Sequence, residues 1–206
     1  MKVSIIQINV ESGNIYENTI KVEKWIKKAV NESPDLVILP EMIDTGYDMK
    51  TIVKTSQNWE TGMVPVLKKL AKQYSINIIS GVSEKVDNNT YNSVALINRK
   101  GEISGRYRKT HLITADPINE EKFINQGEEL GLFTVDEIPI GIITCYEIRF
   151  PEMARSLALL GAKILFIPAA WPLVRLPHWD VLSTARAIEN QFFVCAANRT
   201  GSDNGI

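Results

Sequence analysis

Short apolar runs alternate with amphipathic segments along this 206-residue chain, and this alternation limits its fold most strongly. Residues 35–39 form a mostly apolar run of strand length, and in residues 61–74 the apolar positions recur at helical spacing. Strand and helix patterns that follow one another in this way favour sheets covered by helices. The sequence therefore predicts a layered α/β architecture in which hairpins are interleaved with strand–helix–strand units.

Nine strands and four helices are predicted from these patterns. The strands cover residues 3–10, 35–39, 76–82, 91–98, 103–108, 132–135, 138–144, 164–168 and 192–197. The helices cover residues 14–31, 61–74, 149–160 and 178–190, and Gly161 follows the third helix as a C′ glycine. No repeat, low-complexity segment or linker interrupts this order, so residues 1–206 are expected to form a single domain.

Charge and hydropathy exclude several classes of partner. The net charge is −1, which gives no electrostatic argument for binding nucleic acid or an anionic membrane. No apolar run is long enough to span a bilayer, and the N-terminal MKVSIIQINV lacks the small-residue cleavage site of a signal peptide. We therefore predict a cytoplasmic protein with no nucleic-acid and no membrane partner.

The chain has two cysteines, Cys145 and Cys195, and each lies in or directly after its own apolar strand. A disulfide is not expected in a cytoplasmic protein. Two cysteines with two histidines also make a poor zinc site, so no metal is predicted. Cys195 has apolar neighbours on both sides and is interpreted as a core residue.

Three chemically active side chains stand at the ends of predicted strands. Glu41 lies in LPEMIDTGY, Lys109 in RYRKTHL and Cys145 in GIITCYEIRFPE. Taken singly, each has an ordinary structural interpretation, as an exposed carboxylate, a solvated lysine or an inert core thiol. Taken together, they supply a base, a cation and a nucleophile, which are the groups that acyl transfer requires.

A thiol attacks only as the thiolate, so Cys145 needs a base to take its proton or a cation to lower its pKa. Attack on an acyl group then creates an oxyanion, which an ammonium and a backbone N–H would stabilise. The N–H of Tyr146 follows the nucleophile at a strand-to-helix turn, as in other nucleophile elbows. A Cys–His pair with His111 is the alternative, although His111 has no obvious orienting partner in the sequence.

The segments PEMIDTGY, GRYRKTHL and CYEIRFPEMAR resemble the three motifs of the nitrilase superfamily of carbon–nitrogen hydrolases. That family carries Glu, Lys and Cys in this chain order, each at the end of a strand. The resemblance implies a four-layer αββα sandwich of two mixed β-sheets flanked by helices. It extends to about Gly201, and the family normally continues with further strands, so the C-terminal strands are expected to be missing from this sequence.

The same resemblance implies the role of each residue. Glu41 would be the general base, Cys145 would attack an amide carbonyl, and Lys109 with the Tyr146 N–H would hold the oxyanion. No cofactor is implied, and the substrates would be a small amide and water.

A second glutamate of the family lies seven residues before a glycine, between the Lys and Cys motifs. Here the glycine is Gly127 and the glutamate is Glu120, with the adjacent Glu121 as the alternative register. An exposed acidic turn is the ordinary interpretation of Glu120.

The closer resemblance is to the ω-amidase branch, which hydrolyses monoamides of 2-oxo dicarboxylic acids such as 2-oxoglutaramate. It is carried by TCYEIRFPE, AAWPLVRLPHWDVLSTARAIENQFFV and NRTGSD. Trp171 follows a predicted strand and is either a wall of the substrate pocket or a core aromatic. Arg175 is the candidate to bind a substrate carboxylate, although a surface arginine is the commoner case.

Other assignments and readings stay open from the sequence. Arg149 and Glu152 are expected to pair at i,i+3 beneath the elbow, and Tyr47 is a candidate for the pocket mouth. The resemblance implies a homodimer that packs through residues 149–160 and 178–190. The competing functions are a nitrile hydrolase or an N-carbamoyl amidase on the same triad, and a catalytically inactive binding protein.

Overall fold

A computed structural model describes residues 1–202, and these form two mixed sheets flanked by helices. The first sheet has the order β1 (Val3–Ile5), β2 (Leu36–Leu39), β3 (Asn77–Val86), β4 (Asn89–Ile97) and β5 (Ile103–Arg108). The second has the order β6 (Gly131–Val135), β7 (Ile138–Ile142), β8 (Ile164–Ala169) and β9 (Phe193–Asn198). Of the polar end noted in the sequence, residues 203–206 lie outside the described part.

The helices follow from the way the strands pair. β1, β2 and β3 are parallel neighbours, as are β7, β8 and β9, and parallel neighbours need a crossover connection. These crossovers contain α1 (Ile15–Ala29), α2 (Met49–Thr55), α3 (Met63–Tyr74), α4 (Pro151–Leu159) and α5 (Leu176–Asn190). The remaining neighbours are antiparallel. The predicted sandwich of two mixed sheets with flanking helices is confirmed.

Two hydrophobic clusters hold the layers together. One lies between the two sheets and continues onto α4; it includes Leu36, Ile38, Leu96, Ile140, Ile142, Leu165 and Leu157. The other packs the outer face of the first sheet against α1 and α3; it includes Val37, Leu39, Ile78, Val22, Ile26 and Leu67. Cys145 itself and Tyr107, two residues before Lys109, belong to the first of these clusters, so the candidate site adjoins the packing between the sheets.

Two strand predictions are wrong in length. Residues 3–10 were expected to form one strand, but β1 ends at Ile5 because its partner β2 stops before Pro40, which has no N–H to continue the ladder. The strand predicted for residues 76–82 continues as β3 to Val86. Its polar second half was missed because the buried Glu84 is neutralised only in the folded chain, by Arg106 and Arg108.

The helix predictions also needed correction. α2 was missed because its seven residues are too few to show a helical period; Asp48 caps it by accepting a hydrogen bond from the Thr51 N–H at 2.9 Å. The helix expected from residue 149 begins at Pro151, because residues 145–149 form a separate 3-10 turn. Gly161 follows this helix with φ +100°, as predicted. Elsewhere the predicted bounds differ from the observed ones by one or two residues.

Candidate active site

The structure brings the three strand-end residues Glu41, Lys109 and Cys145 together. Glu41 follows β2, Lys109 follows β5 and Cys145 lies shortly after β7. The Lys109 Nζ lies 3.2 Å from Glu41 Oε1, and both side chains are fully buried. The first two come from one sheet and the third from the other, so the cluster lies where the two sheets meet at their strand ends.

Glu41 is fixed at both carboxylate oxygens. Its Oε1 accepts a hydrogen bond from Asn92 Nδ2 at 2.7 Å, and its Oε2 accepts one from the Ala170 N–H at 2.8 Å. The backbone here touches β3 at Gly81, where an added Cβ would lie 2.6 Å from the Glu41 Cα. Glycine is therefore required at that close approach. Every hydrogen bond described for the carboxylate is received from a donor, so both of its oxygens are held in place.

Lys109 is held by its backbone as well as by its ammonium. Its N–H donates to Asn92 O, and its carbonyl accepts from the Gly127 N–H, both at 2.8 Å. A Cβ added to Gly127 would lie 2.2 Å from the Arg108 carbonyl oxygen, so only glycine allows this contact. Burial lowers the pKa of Lys109, but the charges of Glu120 and Glu41 outweigh burial and raise it. The side chain is therefore a permanent ammonium.

Glu120, and not Glu121, belongs to the cluster. The Glu120 side chain is fully buried with Oε1 2.9 Å from Lys109 Nζ, whereas Glu121 is exposed. Tyr47 donates its hydroxyl to Glu120 Oε1 at 2.7 Å, and the Ile113 N–H donates to Oε2 at 2.7 Å. The interpretation of Glu120 as an exposed acidic turn is wrong, because the ammonium and these two donors offset the cost of burying its charge.

Cys145 begins a 3-10 turn that runs to Arg149, and its backbone is strained. Its φ is +45°, a left-handed conformation that is uncommon for a residue with a side chain. Strain of this kind clusters at functional sites, and a sharp strand-to-helix turn is the geometry that exposes a nucleophile. Tyr146 follows in the turn and lines the cavity beside the thiol. The first N–H groups of a helical turn lack intrahelical partners, so the Tyr146 N–H is suited to a developing negative charge.

The thiol of Cys145 is protonated in the resting site. Burial raises its pKa, and the negative charge of Glu41 raises it further, while Lys109 opposes this only in part. A hydrogen bond between the thiol and Glu41 acts in the same direction as burial. The pKa lies well above its ordinary value, so a thiolate has to be generated by proton transfer during the reaction.

A cavity of about 690 Å³ opens above Cys145. Trp171 lines it, is 6% exposed, and donates its Nε1–H to the Arg175 carbonyl oxygen at 2.7 Å. Trp171 is thus a wall of the cavity as well as a packed aromatic. Arg175 and Tyr47 also lie in the lining. The other lining residues are mostly apolar and include Ile113, Ile118, Pro172, Leu173 and Val174.

The expected ion pair between Arg149 and Glu152 is wrong. Within residues 1–202 the two side chains form no ion pair, because the 3-10 turn ends at Arg149 and α4 begins only at Pro151, so helical i,i+3 spacing does not apply. The Arg149 guanidinium instead lies 4.6 Å from the Trp171 ring centroid, and it lines the cavity. A cation–π contact of this kind holds the charge without neutralising it.

His111 does not serve as a partner of the thiol. Its Nδ1 lies 3.0 Å from Thr110 Oγ1 and 3.8 Å from Glu147 Oε1, and its ring stacks on Phe150 with centroids 4.2 Å apart. Those contacts place the ring outside the cavity lining, so the Cys–His alternative is wrong. Both cysteines are free thiols, as expected. Cys195 is only partly buried, because it lies on β9 at the edge of the second sheet.

Two buried residues around the site were missed from the sequence. Asn92 binds Glu41 and also lies 3.5 Å from Glu120 Oε1, and Glu147 lies at the centre of a hydrogen-bond network beneath the elbow. A polar residue in an apolar strand was the signal for Asn92, and a carboxylate two residues after Cys145 was the signal for Glu147. Neither signal shows which residues Asn92 and Glu147 contact, because those contacts form only in the folded chain.

Two kinds of feature are absent from residues 1–202: a cluster of metal ligands and a helix that could cross a membrane. In residues 1–202, no group of three or more His, Cys, Asp or Glu side chains is arranged to hold a metal ion. Over the same residues, no helix has both the length and the apolar character to cross a bilayer.

Comparison with known proteins gives the family. The carbon-nitrogen hydrolase family matches residues 2–206. The chain is 38% identical over 202 residues to the 2-oxoglutaramate amidase of Bacillus subtilis, and the match covers 98% of this chain and 77% of that protein. It is 28% identical over 209 residues to the omega-amidase NIT2 of Homo sapiens, covering 98% and 75%. The crystal structure of Saccharomyces cerevisiae Nit3, a member of branch 10 of the nitrilase superfamily, matches with a TM-score of 0.89 and 26% identity over 98% of this chain and 76% of that one. The chain belongs to the carbon–nitrogen hydrolase family.

Proposed function

We propose that this carbon–nitrogen hydrolase cleaves a small linear amide through a thioester on Cys145 and releases ammonia. The observation that carries the proposal is the buried contact of Lys109 with Glu41 at 3.2 Å, at the foot of a cavity that Cys145 lines. This contact supports a buried site that combines a nucleophile, a base and a cation, where electrostatic stabilisation is strong.

In the first half of the reaction, Glu41 takes the Sγ proton as the sulfur of Cys145 attacks the amide carbon. The carbonyl oxygen becomes an oxyanion between the Lys109 ammonium and the Tyr146 N–H. The tetrahedral intermediate then collapses. The C–N bond breaks, the proton on Glu41 passes to the leaving nitrogen, and ammonia departs to leave the acyl group on sulfur.

In the second half, a water molecule enters the place of ammonia. Glu41 takes a proton from this water, and the resulting hydroxide attacks the thioester carbon with the same two oxyanion donors. The C–S bond breaks, the proton on Glu41 returns to sulfur, and the carboxylic acid leaves. One carboxylate thus serves both halves, which explains why its two oxygens are held by Asn92 and Ala170.

Glu120 supports this chemistry by fixing the ammonium. Its Oε1 accepts from Lys109 Nζ at 2.9 Å and from the Tyr47 hydroxyl at 2.7 Å. With Glu41 it keeps Lys109 charged, and it gives the ammonium a second anchor while Glu41 exchanges protons. We therefore assign Glu120 a place in the catalytic machinery through Lys109.

We propose a monoamide of a 2-oxo dicarboxylic acid, such as 2-oxoglutaramate, as the substrate. Relatives named 2-oxoglutaramate amidase and omega-amidase support this class. The cavity adds a physical reason, because Arg149 stacks in its wall and Arg175 and His178 lie further along the lining. An arginine in a mostly apolar cavity favours a ligand with a carboxylate.

The proposal is tested by ammonia release from 2-oxoglutaramate, with Cys145→Ala as the matched control. Release that Cys145→Ala abolishes, with the fold retained by circular dichroism, is the expected result. Turnover only of simple amides or nitriles would keep the triad and remove the substrate class. Release of carbon dioxide together with ammonia from an N-carbamoyl compound would favour the carbamoyl amidase. No turnover of any of these substrates would favour a catalytically inactive binding protein.

We also propose that the protein forms a homodimer through α4 and α5. Apolar side chains are exposed on these helices and on the adjacent β9: Leu159, Leu160, Val181, Ile188 and Phe193. Val181 and Ile188 are seven residues apart and so lie on one side of α5. A second copy of the chain that presents the same surface would remove these side chains from water.

A further inference from the structure

Glu147 is a fully buried carboxylate that does not line the cavity. Its Oε1 accepts hydrogen bonds from the N–H and Oγ1 of Thr110, both at 2.8 Å, and from the His111 N–H at 3.1 Å. Its Oε2 accepts one from the Thr144 N–H at 2.7 Å. The Tyr107 hydroxyl lies 2.7 Å from both oxygens. The carboxylate is therefore surrounded by donors.

These donors belong to the two segments that carry the reacting groups. Tyr107 and Thr110 lie on either side of Lys109, at the end of β5 in the first sheet. Thr144 and Glu147 itself lie on either side of Cys145, in the segment that follows β7 of the second sheet. The bonds thus join the backbone next to the ammonium to the backbone next to the thiol, across the boundary between the sheets.

The Glu147 carboxylate is ionised within this network. Burial raises the pKa of Glu147, but its hydrogen-bond donors, His111 foremost, outweigh burial and hold the pKa below its ordinary value. Within residues 1–202, no lysine or arginine forms an ion pair with Glu147, and its one ionic contact is with the His111 ring, whose Nδ1 lies 3.8 Å from Oε1 and is charged only when protonated. Burying a charge among largely neutral donors is costly, and such a cost is typical of groups that hold a functional geometry.

We propose that Glu147 is a positioning residue for amide hydrolysis, whose carboxylate sets the separation between the Lys109 ammonium and the Cys145 thiol. The inference rests on the proposed function, because that separation sets how strongly the ammonium stabilises the oxyanion of the proposed reaction. Without the carboxylate, these hydrogen bonds no longer join the loop after Lys109 to the turn that carries Cys145. A displacement of about 1 Å at such a site costs about 100-fold in rate.

The test uses Glu147→Gln and two reactions of the same thiol. Glutamine keeps the volume but presents an NH₂ group to donors that need an acceptor. We expect kcat for ammonia release to fall about 100-fold with KM changed by less than about threefold. Alkylation of Cys145 by iodoacetamide, measured by mass, forms no oxyanion and depends on Lys109 only through the pKa of the thiol, so its rate should fall much less than kcat. Glu152→Gln, which removes an exposed carboxylate from α4, should leave all three quantities unchanged.

Tyr107→Phe provides a second test in case Glu147→Gln does not fold. It keeps the ring in the core and removes one donor, so kcat should fall about tenfold at unchanged KM. Equal losses of turnover and alkylation, or full turnover in both variants, would overturn the positioning role. A wild-type enzyme that releases no ammonia from any amide would overturn both the proposed function and this inference. If the wild type is active, the two variants test the positioning role alone.

Discussion

At the scale of single residues, the site depends on which charges are buried and what neutralises each of them. Glu41 and Glu120 share one ammonium, and Lys109 stays charged because both carboxylates lie within 3.2 Å of its Nζ. A lone buried carboxylate would be costly, but each of these is paired and hydrogen-bonded. The same chemistry distinguishes Glu120 from its neighbour Glu121, which points to solvent.

The two glutamates allow a matched comparison. Glu120→Gln removes the charge that anchors Lys109, so kcat for ammonia release should fall about 100-fold or more. Glu121→Gln removes an exposed charge one residue away and should leave kcat and the melting temperature within error. Steady-state kinetics and thermal unfolding measure both. Equal effects of the two substitutions would contradict the assignment of Glu120.

The arginines in the cavity allow a second comparison. If Arg149 binds the substrate carboxylate, Arg149→Met should lower kcat/KM for 2-oxoglutaramate about 10- to 100-fold, the range of a charged hydrogen bond. A neutral amide such as propionamide should be affected less than about threefold. Arg175 is exposed, so Arg175→Met should have an effect of only about threefold. The prediction fails if Arg149→Met lowers the turnover of both substrates equally.

At the scale of elements, the site is built where strands end, and glycines set how closely those ends approach. Gly81 in β3 has no side chain, so the backbone of Glu41 can lie close to it. The Gly127 N–H donates a hydrogen bond to the Lys109 carbonyl oxygen. The 3-10 turn after β7 then presents Cys145 with φ +45°. The side chains of the site are therefore positioned in part by backbone contacts between elements.

Gly127→Ala tests this contact. The new Cβ would lie 2.2 Å from the Arg108 carbonyl oxygen, so the backbone beside Lys109 has to move. The free energy of unfolding should fall by about 2 kcal/mol, and kcat should fall about tenfold or more. Gly161→Ala is the control, because its φ is +100° but nothing lies within 4 Å of the new Cβ. It should cost about 1 kcal/mol of stability without lowering kcat. Denaturant unfolding and steady-state kinetics distinguish the two effects.

At the scale of the whole molecule, the site joins the two sheets. The Glu41 carboxylate at the end of β2 accepts from the Ala170 N–H after β8, and Glu147 after β7 accepts from Thr110 after β5. Hydrophobic packing between the sheets brings these groups within reach, and the hydrogen bonds then fix them. Loss of packing between the sheets would therefore remove the activity before either sheet is lost.

The proposed dimer is tested at this scale. We expect sedimentation equilibrium to give a mass twice that of the 23.1 kDa chain. The double substitution Val181→Asp and Ile188→Asp places charges on the exposed side of α5 and should give the monomer mass with an unchanged circular dichroism spectrum. Tyr16→Asp, at an equally exposed position on α1, should leave the dimer intact. A monomeric wild type at all concentrations would refute the dimer.

The features that could be predicted from the sequence are those with strong apolar periodicity or distinctive side-chain chemistry. The long strands and helices have apolar periods that a sequence displays, whereas α2 has only seven residues and β1 is shortened because Pro40 directly follows its partner strand β2. Similarly, the motifs around Glu41, Lys109 and Cys145 are specific enough to name these residues. The expected ion pair of Arg149 was wrong because it depends on where the 3-10 turn ends, and Cys195, interpreted as a core residue, is only partly buried and packs against the core.

The sequence by itself determined the layered α/β class, the residues with reactive side chains and the family to which they belong, because these depend on local periodicity and on residue type. Only the tertiary structure decided that Glu120 is buried against Lys109, that Arg149 faces the cavity, and that Glu147 joins the two sheets. Each of these depends on contacts between residues far apart in the chain, which form only when the sheets pack and which no local pattern records.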